Sequence, residues 1–437
     1  MRKNLFKKVL ALTLASTMAF SMAGCGSKGG SSDAKNDDGK ITLNVWHQWS
    51  NDTNELKGKY EEAVKAYEKE NTGVKIKTET LDTEAYKTKI NAEFAGDAKG
   101  IDVFYWWGAG TAKKLVDAGK VMALDDYVTD DVKSKILEGS TSAFEFDGKL
   151  YSVPMFSWYM TLFCNKTMFD KAGATLPTTY DELVDAVKKL KKLDGVTPMA
   201  AGAKDGWNAA FVYQALALRE VGATGVNEML SGKKEFGDEG FKKAAQKVSD
   251  LYEMGAFGDN PLEQGNDDAN AAFENGKAAM RLMGSWFANN VYTDDAATIK
   301  PEEVVALKIP TIADGKGEAT DYCGGFVESF WVNNNTKYKE EAAKFCIYIN
   351  EKMGVASYET GSGFSGWTTP ADESNLNPLF IQIKDLLAEG KQGVLAWDTS
   401  LESEPAAVHN EQVQTLFADG ADIDAFIDEH KAAINGK

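Results

Sequence analysis

Past residue 40, apolar and polar positions alternate over residues 41–46 (Ile-Thr-Leu-Asn-Val-Trp), the two-residue period of a half-buried strand. The period then lengthens. Leu56, Tyr60, Ala63, Val64 and Tyr67 recur at helical spacing across residues 54–70, with charges on the other positions. Gly73 ends that helix, alternation returns over 74–81, a second helix is predicted over 84–94, and residues 101–105 (Ile-Asp-Val-Phe-Tyr) make a compact apolar strand. Strand and helix in strict turn predict parallel strands joined by crossover helices, hence an α/β lobe. Ligands of such sheets bind beyond the carboxyl ends of the strands. Those ends carry Trp46, His47, Gln48 and Trp49, then Asp82, then Trp106 and Trp107.

The middle of the chain changes character. Residues 151–165 form an extended stretch long enough to cross between lobes, and helical patterns then dominate at 179–193, 208–220, 240–254 and 269–274. Strand-like residues 278–283 precede Gly284, Ser285 and Trp286. Strand signals return at 304–310 and 326–332, followed by a helix over 337–353 and a mostly helical remainder. Mixed blocks of this kind suit two α/β lobes whose chain passes between them more than once.

Length and charge narrow the picture. At about 150 residues per domain, a chain of 437 residues accommodates two or three. Its 48 Lys and Arg against 66 Asp and Glu give a net charge of −18. That balance argues against nucleic acid and against a polybasic membrane surface role, both of which need clustered cations. Three His and four Cys are too few for most metal clusters, so no metal or cofactor is expected. The N-terminus reads as an export signal: Arg2, Lys3, Lys7 and Lys8 precede an apolar run over residues 9–23. The run is shorter than the ~20 residues of a spanning helix and ends in Met22-Ala23-Gly24-Cys25, which resembles a bacterial lipobox. Residues 1–24 are therefore expected to be removed, Cys25 to carry lipid, and residues 25–39, rich in Gly, Ser, Asp and Lys, to form a flexible tether. Loss of the four cations takes the net charge from −18 to −22. Cys164, Cys323 and Cys346 remain, an odd set without metal-ligand spacing that reads as buried thiols, with a Cys164–Cys323 pair left open.

Enzyme signatures are missing. The sequence holds no G-x-S-x-G elbow, H-E-x-x-H or Walker A. Gly361-Ser-Gly363 follows a helix and reads as a turn, and His409 and His430 sit among polar residues expected at the surface. No enzymatic activity is expected. The aromatic residues say more. A sugar ring has apolar faces and a hydroxyl rim, so its site needs flat apolar platforms with polar groups at their edges. Trp46, Trp49, Trp106, Trp107, Trp158, Tyr159, Trp207, Trp286, Trp367 and Trp397 are candidate platforms. His47, Gln48, Asp82, Asn208, Ser285 and Asp398 are candidate hydroxyl partners. Trp331, inside Phe330-Trp331-Val332, reads as core, whereas the adjacent Trp106 and Trp107 cannot both face inward. Rival readings are a polyamine or peptide carrier, with Asp82, Asp102, Glu328 and Asp398 flanking the aromatics, a glycan-active enzyme, and an adhesin for polymeric glycan.

Over residues 40–432 the pattern resembles the carbohydrate-specific extracellular solute-binding proteins of ABC importers, the group that includes maltose-binding protein. The residues that carry the likeness are the opening strand and helix, the strand ending in Trp106-Trp107, Asp147-Gly-Lys-Leu-Tyr-Ser-Val-Pro154 leading to Asn165-Lys166, and Asn275-Gly-Lys-Ala-Ala-Met280 through Trp286. Gly324-Gly325 is similar to a glycine-rich loop that approaches the ligand by its backbone, and Trp397-Asp398 lies where relatives carry a stacking aromatic. The resemblance implies a two-lobed periplasmic-binding-protein-like fold with a central cleft and several interlobe crossings. The first lobe would hold residues 40–155 and 305–353, the second residues 156–304 and 354–437. It further implies a lipid-anchored, monomeric protein outside the cell that captures an oligosaccharide, of the xylo- or malto- class, and passes it to a membrane permease.

Overall fold

The computed structural model describes residues 39–51, 55–293 and 297–436. The export signal, Cys25 and nearly all of the tether lie outside the described residues. The chain opens with β1 (Ile41–His47), α1 (Glu55–Glu70), β2 (Val74–Thr80), α2 (Thr83–Ala95), β3 (Val103–Trp107) and α3 (Ala109–Asp117). A short helix α4 (Asp130–Lys135) and a hairpin, β4 (Glu145–Phe146) and β5 (Lys149–Leu150), lead to the long strand β6 (Phe156–Asn165). Next come α5 (Lys166–Ala172), α6 (Tyr180–Leu190), β7 (Thr197–Ala200), α7 (Gly206–Leu230), α8 (Glu239–Glu253), α9 (Asn266–Glu274), β8 (Ala278–Gly284), α10 (Phe287–Thr293) and β9 (Val304–Leu307). The second long strand, β10 (Asp321–Val332), is followed by α11 (Lys339–Glu359), β11 (Phe364–Ser365), α12 (Pro378–Ala388) and β12 (Gln392–Val394). Helices α13 (Trp397–Ser400), α14 (Ser403–Thr415) and α15 (Ile423–Asn435) close the chain.

The periodicities account for these elements. Leu56, Tyr60, Ala63 and Tyr67 form the buried stripe of α1. Asp82 caps α2 by accepting from the Ala85 N–H at 3.1 Å, and Thr179 with Glu182 builds a capping box on α6. The helix expected over 208–220 runs on to Leu230, broken only at Gly222, whose φ of 79° no helix can hold.

The sheet follows the path β2-β1-β3-β10-β6-β8-β7. β1 pairs in parallel with both β2 and β3, as the alternation of strands and helices predicts. β10 and β6 are each shared between lobes. β6 pairs with β10 near its start and with β8 and β9 over its second half. β10 pairs with β12, then β6, then β3 along its length. Two cores result. One gathers Leu43, Phe104, Phe330, Trp331 and Phe345, the other Phe163, Leu216, Phe241, Met280 and Trp397. The second core holds residues 304–323, because β9 pairs with β6. The return to the first lobe therefore falls near Phe326 and not at 305. Trp367 packs in the first core, beyond the expected limit of 353.

Gly324 and Gly325 also depart from expectation. They form no loop but continue β10, opposite Tyr159 and Trp158 of β6. At Gly324, φ is 136° and a Cβ would stand 2.0 Å from the Trp158 carbonyl oxygen, so only glycine lets the crossing strands lie this close. Cys164, Cys323 and Cys346 are all buried free thiols, so the open question of a Cys164–Cys323 disulfide is answered against it. His409 and His430 are fully buried, not at the surface, since α14 packs on α15 and on α7. Among the described residues no helix is long and apolar enough to cross a membrane.

Gly324→Ala is expected to lower the unfolding free energy by roughly 2–4 kcal/mol. Urea denaturation checks this through a reduced midpoint at an unchanged slope. A midpoint matching the parent would show that the crossing tolerates a side chain.

Candidate functional site

Where β3 ends, the first lobe meets the second. Trp106 is buried, and its neighbour Trp107 is only partly buried. Lys87, one face of α2 away, sets its ammonium 5.2 Å from the Trp107 ring and 5.7 Å from the ring of Trp207. Trp207 stands at the start of α7 and packs on the second core, so this contact spans the cleft. Its ring lies 6.5 Å from that of Trp286, which follows β8 and is also partly buried. Below, α3 touches α13: the Thr111 hydroxyl donates to the Asp398 and Thr399 carbonyls at 3.3 and 3.2 Å. The two lobes thus touch through α2, α3, α7 and α13.

Carboxylates from both lobes surround Lys87. Glu84 accepts from its ammonium at 3.1 Å. Glu328, opposite Trp107 on β10, is buried, and burial pushes its carboxyl up to about 7 while Tyr105, Trp107 and Lys87 pull against that. The Tyr105 hydroxyl makes no hydrogen bond of acceptable geometry, so its effect on Glu328 is one of proximity. From the second lobe, burial raises Asp205 and Asp398, with Lys87 acting in the opposite direction on each.

Seven buried polar atoms lack a hydrogen-bond partner among the described residues: those of His47, Gln48, Tyr105, Trp106, Trp207, Asp398 and Asn410. Unpaired buried groups are costly and normally rare. Trp207 and Asp398 border the cleft directly, Tyr105 and Trp106 precede Trp107, and Asn410 packs against Gly206 beside Trp207. A second groove, with a cavity of about 40 Å³ between Tyr159, Arg219, Asp321, Tyr322 and Leu386, contains none of these unpaired atoms. Its Arg219 is spent on the carbonyls of Ile309, Glu318 and Asp321. The cleft, not the groove, has polar valences to offer.

The other sequence candidates fall elsewhere. Trp46 and Trp49 are buried in the first core, and His47 lies between Trp49 and Tyr60 with its Nδ1 accepting from the Trp49 N–H at 3.2 Å. Burial lowers this imidazole to about 3, so it is neutral. Gln48 is partly buried beside it, and Asp82 is exposed and engaged in capping. Trp158 is buried against Phe211 and Trp286, whereas Tyr159 remains partly open, with its backbone N–H donating to the Ser285 hydroxyl at 3.2 Å. Ser285 thereby fixes the strand and does not face a ligand. Asn208 is taken up by the Arg281 guanidinium at 2.8 Å. Trp367 donates its indole N–H to the Pro154 carbonyl at 2.7 Å and is core. Trp397 is stacked on His409, 5.0 Å between centroids, and leaves only its neighbour Asp398 at the cleft. Trp331 is core, its indole N–H donating to the Trp106 carbonyl at 3.1 Å. Lys87, Glu84 and Asp205 were not singled out by sequence. Glu328, an ionisable residue inside an apolar strand, was the one visible signal, noted only as a carboxylate for a charged ligand.

The bacterial extracellular solute-binding protein family matches residues 50–355. The chain belongs to this family. It is 36% identical, with a TM-score of 0.86, to a structure described under xylan utilisation by the thermophile Caldanaerobius polysaccharolyticus, covering 90% of this chain and all of that one. It is 24% identical to the multiple sugar-binding protein of Streptococcus mutans over 81% of this chain and 80% of the relative. A putative binding protein of Brucella abortus is 25% identical over 70% of this chain and 71% of its own length. The protein is the extracellular, solute-capturing component of an ABC importer, not an enzyme.

Glu328 supplies a pH test. A carboxyl raised from 4.5 to about 7 on folding stabilises the fold fully below 4.5 and loses that contribution as pH climbs through 7. Between pH 4.5 and 8 the parent is expected to lose about 3 kcal/mol more unfolding free energy than Glu328→Gln, read by denaturant titration. Parallel pH profiles would contradict the buried, reluctant carboxylate.

Proposed function

We propose that the captured solute is a neutral oligosaccharide, with xylan-derived chains first among the candidates. The reading is carried by one observation: indoles from opposite lobes, Trp107 and Trp207, face a common centre, with Trp286 beside them and carboxylates at their edges. Flat apolar faces with acceptors at the rim suit a sugar's faces and hydroxyls. Glu84, Asp205, Glu328 and Asp398 outnumber Lys87, which disfavours an acidic sugar. The xylan context of the 36%-identical structure supports the choice of monomer, and the Streptococcus mutans relative supports a sugar.

Micromolar affinity corresponds to about −8 kcal/mol. If base stacking at ~1–3 kcal/mol per ring is an upper guide, three indoles with rim hydrogen bonds supply it for a ligand of more than one ring. Closure would then present the joined lobes to the permease. Lipid on Cys25 of a monomeric chain would keep it at the membrane surface.

Calorimetry with xylose and β-1,4-linked xylo-oligosaccharides is the test. The expected result is tighter binding of the oligomers, little dependence on salt, recovery of intact sugar, and at least about tenfold weaker binding in Trp107→Ala or Trp286→Ala. Binding of xylose as tight as that of its oligomers, or no saccharide bound at all, would overturn it.

A further inference from the structure

We propose that Gln214, His409 and His430 form a one-way hydrogen-bond relay that positions α13, and with it Asp398, at the cleft. The inference goes beyond the choice of ligand and rests on that reading for its affinity arm alone. Helix α13 spans only Trp397–Ser400, and a single turn is too short to hold itself in place. Trp397, its first residue, is gripped from behind at two points. Its N–H donates to Gln214 Oε1 at 3.4 Å, and its ring stacks on His409 with 5.0 Å between centroids and 28° between planes. Asp398 comes next, with a buried carboxylate oxygen that has no hydrogen-bond partner among the described residues.

The two ends of the relay fix every proton in it. The Trp397 N–H can only donate, so Gln214 turns its oxygen to it and its amide nitrogen to His409 Nε2, at 3.0 Å. At the far end the Phe426 carbonyl can only accept, so His430 carries its proton on Nδ1, 2.8 Å away. Both rings are neutral: burial lowers His430 to about 4 and holds His409 well below its ordinary value, with His430 acting in the same direction. His430 Nε2 is therefore bare, and His409 Nδ1, 2.9 Å from it, donates. That leaves His409 Nε2 bare to accept from Gln214, so the direction is the same from either end. The rings packed on the pair belong to Tyr213, Phe236, Trp397 and Phe426. Of these Tyr213 titrates, and burial holds its phenol neutral, with the hydroxyl donating to the Phe241 carbonyl at 3.4 Å. An added proton would set two donors face to face, and shifting the other protons only carries that clash along to Gln214 and Trp397.

The test uses the exported chain, comparing the parent with Gln214→Met and Gln214→Glu. The chain holds three histidines, so selective nitrogen-15 labelling resolves them by magnetic resonance. In the parent, His409 and His430 are expected as Nδ1–H tautomers, with nitrogen–nitrogen coupling across the 2.9 Å bond between them. His47, whose Nδ1 accepts from Trp49, is expected as the opposite tautomer. Methionine fills the space of Gln214 without its hydrogen bonds, so Gln214→Met is expected to speed amide hydrogen exchange across α13 and to bind xylotriose about tenfold weaker, the scale of one lost hydrogen bond. A glutamate accepts both from Trp397 and from a His409 that has taken a second proton. Gln214→Glu is therefore expected to recover most of both losses and to show His409 protonated on both nitrogens near neutral pH. A side chain that only fills space would rank the neutral methionine above a buried glutamate, and that ranking would overturn the relay. A proton on Nε2 of His409 or His430 in the parent, or parent-like exchange and affinity in Gln214→Met, would overturn it also, without touching the choice of ligand. Failure of every form to bind any saccharide, with tautomers and exchange as expected, would strike the oligosaccharide reading and leave the relay standing.

Discussion

The antiparallel pairing of β6 with β10 is the constraint on which the molecule is built. These strands pass from one core to the other side by side, with Gly324 opposite Tyr159, Gly325 opposite Trp158 and Glu328 opposite Phe156. Because each strand belongs to both lobes, the sheets on either side inherit their orientation from this ribbon. The close approach at Gly324 brings the backbones together, and the register shift between Phe326 and Glu328 marks where β10 leaves β6 for β3. Glu328 sits at that departure, between the apolar side chains of Val327 and Phe330 and beside Ser329. The carboxylate is buried by the crossing and faces the place where the two lobes meet.

From this ribbon follows the sorting of the tryptophans. Those on or against the crossing strands, Trp331, Trp367 and Trp158, are consumed by packing, as are Trp46, Trp49 and Trp397 within the separate cores. Those at the ends of elements, where a strand or helix stops short of the other lobe, remain partly open: Trp107 at the end of β3, Trp207 at the head of α7, Trp286 after β8. The candidate site is made where these ends meet and belongs to neither half alone. The acidic rim then needs a counterion, and α2 provides one in Lys87.

Much of this was legible in the sequence. Periodicity located β1 through β3 and their helices within a few residues, because each element buries one face against its own neighbours. The cleft aromatics at Trp107, Trp207 and Trp286 stood among the candidates, yet so did Trp367 and Trp397, since an indole in the core and one in a cleft have the same composition and similar flanks. Asp398 next to Trp397 shows the difficulty: one turn of α13 sends the first side chain to the cleft and the second onto His409. His409 and His430 looked solvated because their sequence neighbours are polar, but their burial comes from the packing of α14 against α15, a distant contact. Lys87 reads as an ordinary solvated lysine of an amphipathic helix. Its contact with Trp207 comes from the approach of the two lobes, which sequence spacing does not show.

The most direct measurement is a crystal structure of the exported chain with a xylo-oligosaccharide bound. The account predicts sugar rings between the lobes, lying on Trp107, Trp207 and Trp286, with their hydroxyls toward Glu328 and Asp398. A sugar seated in the groove between Tyr159, Arg219 and Tyr322, or held by one lobe alone, would contradict it.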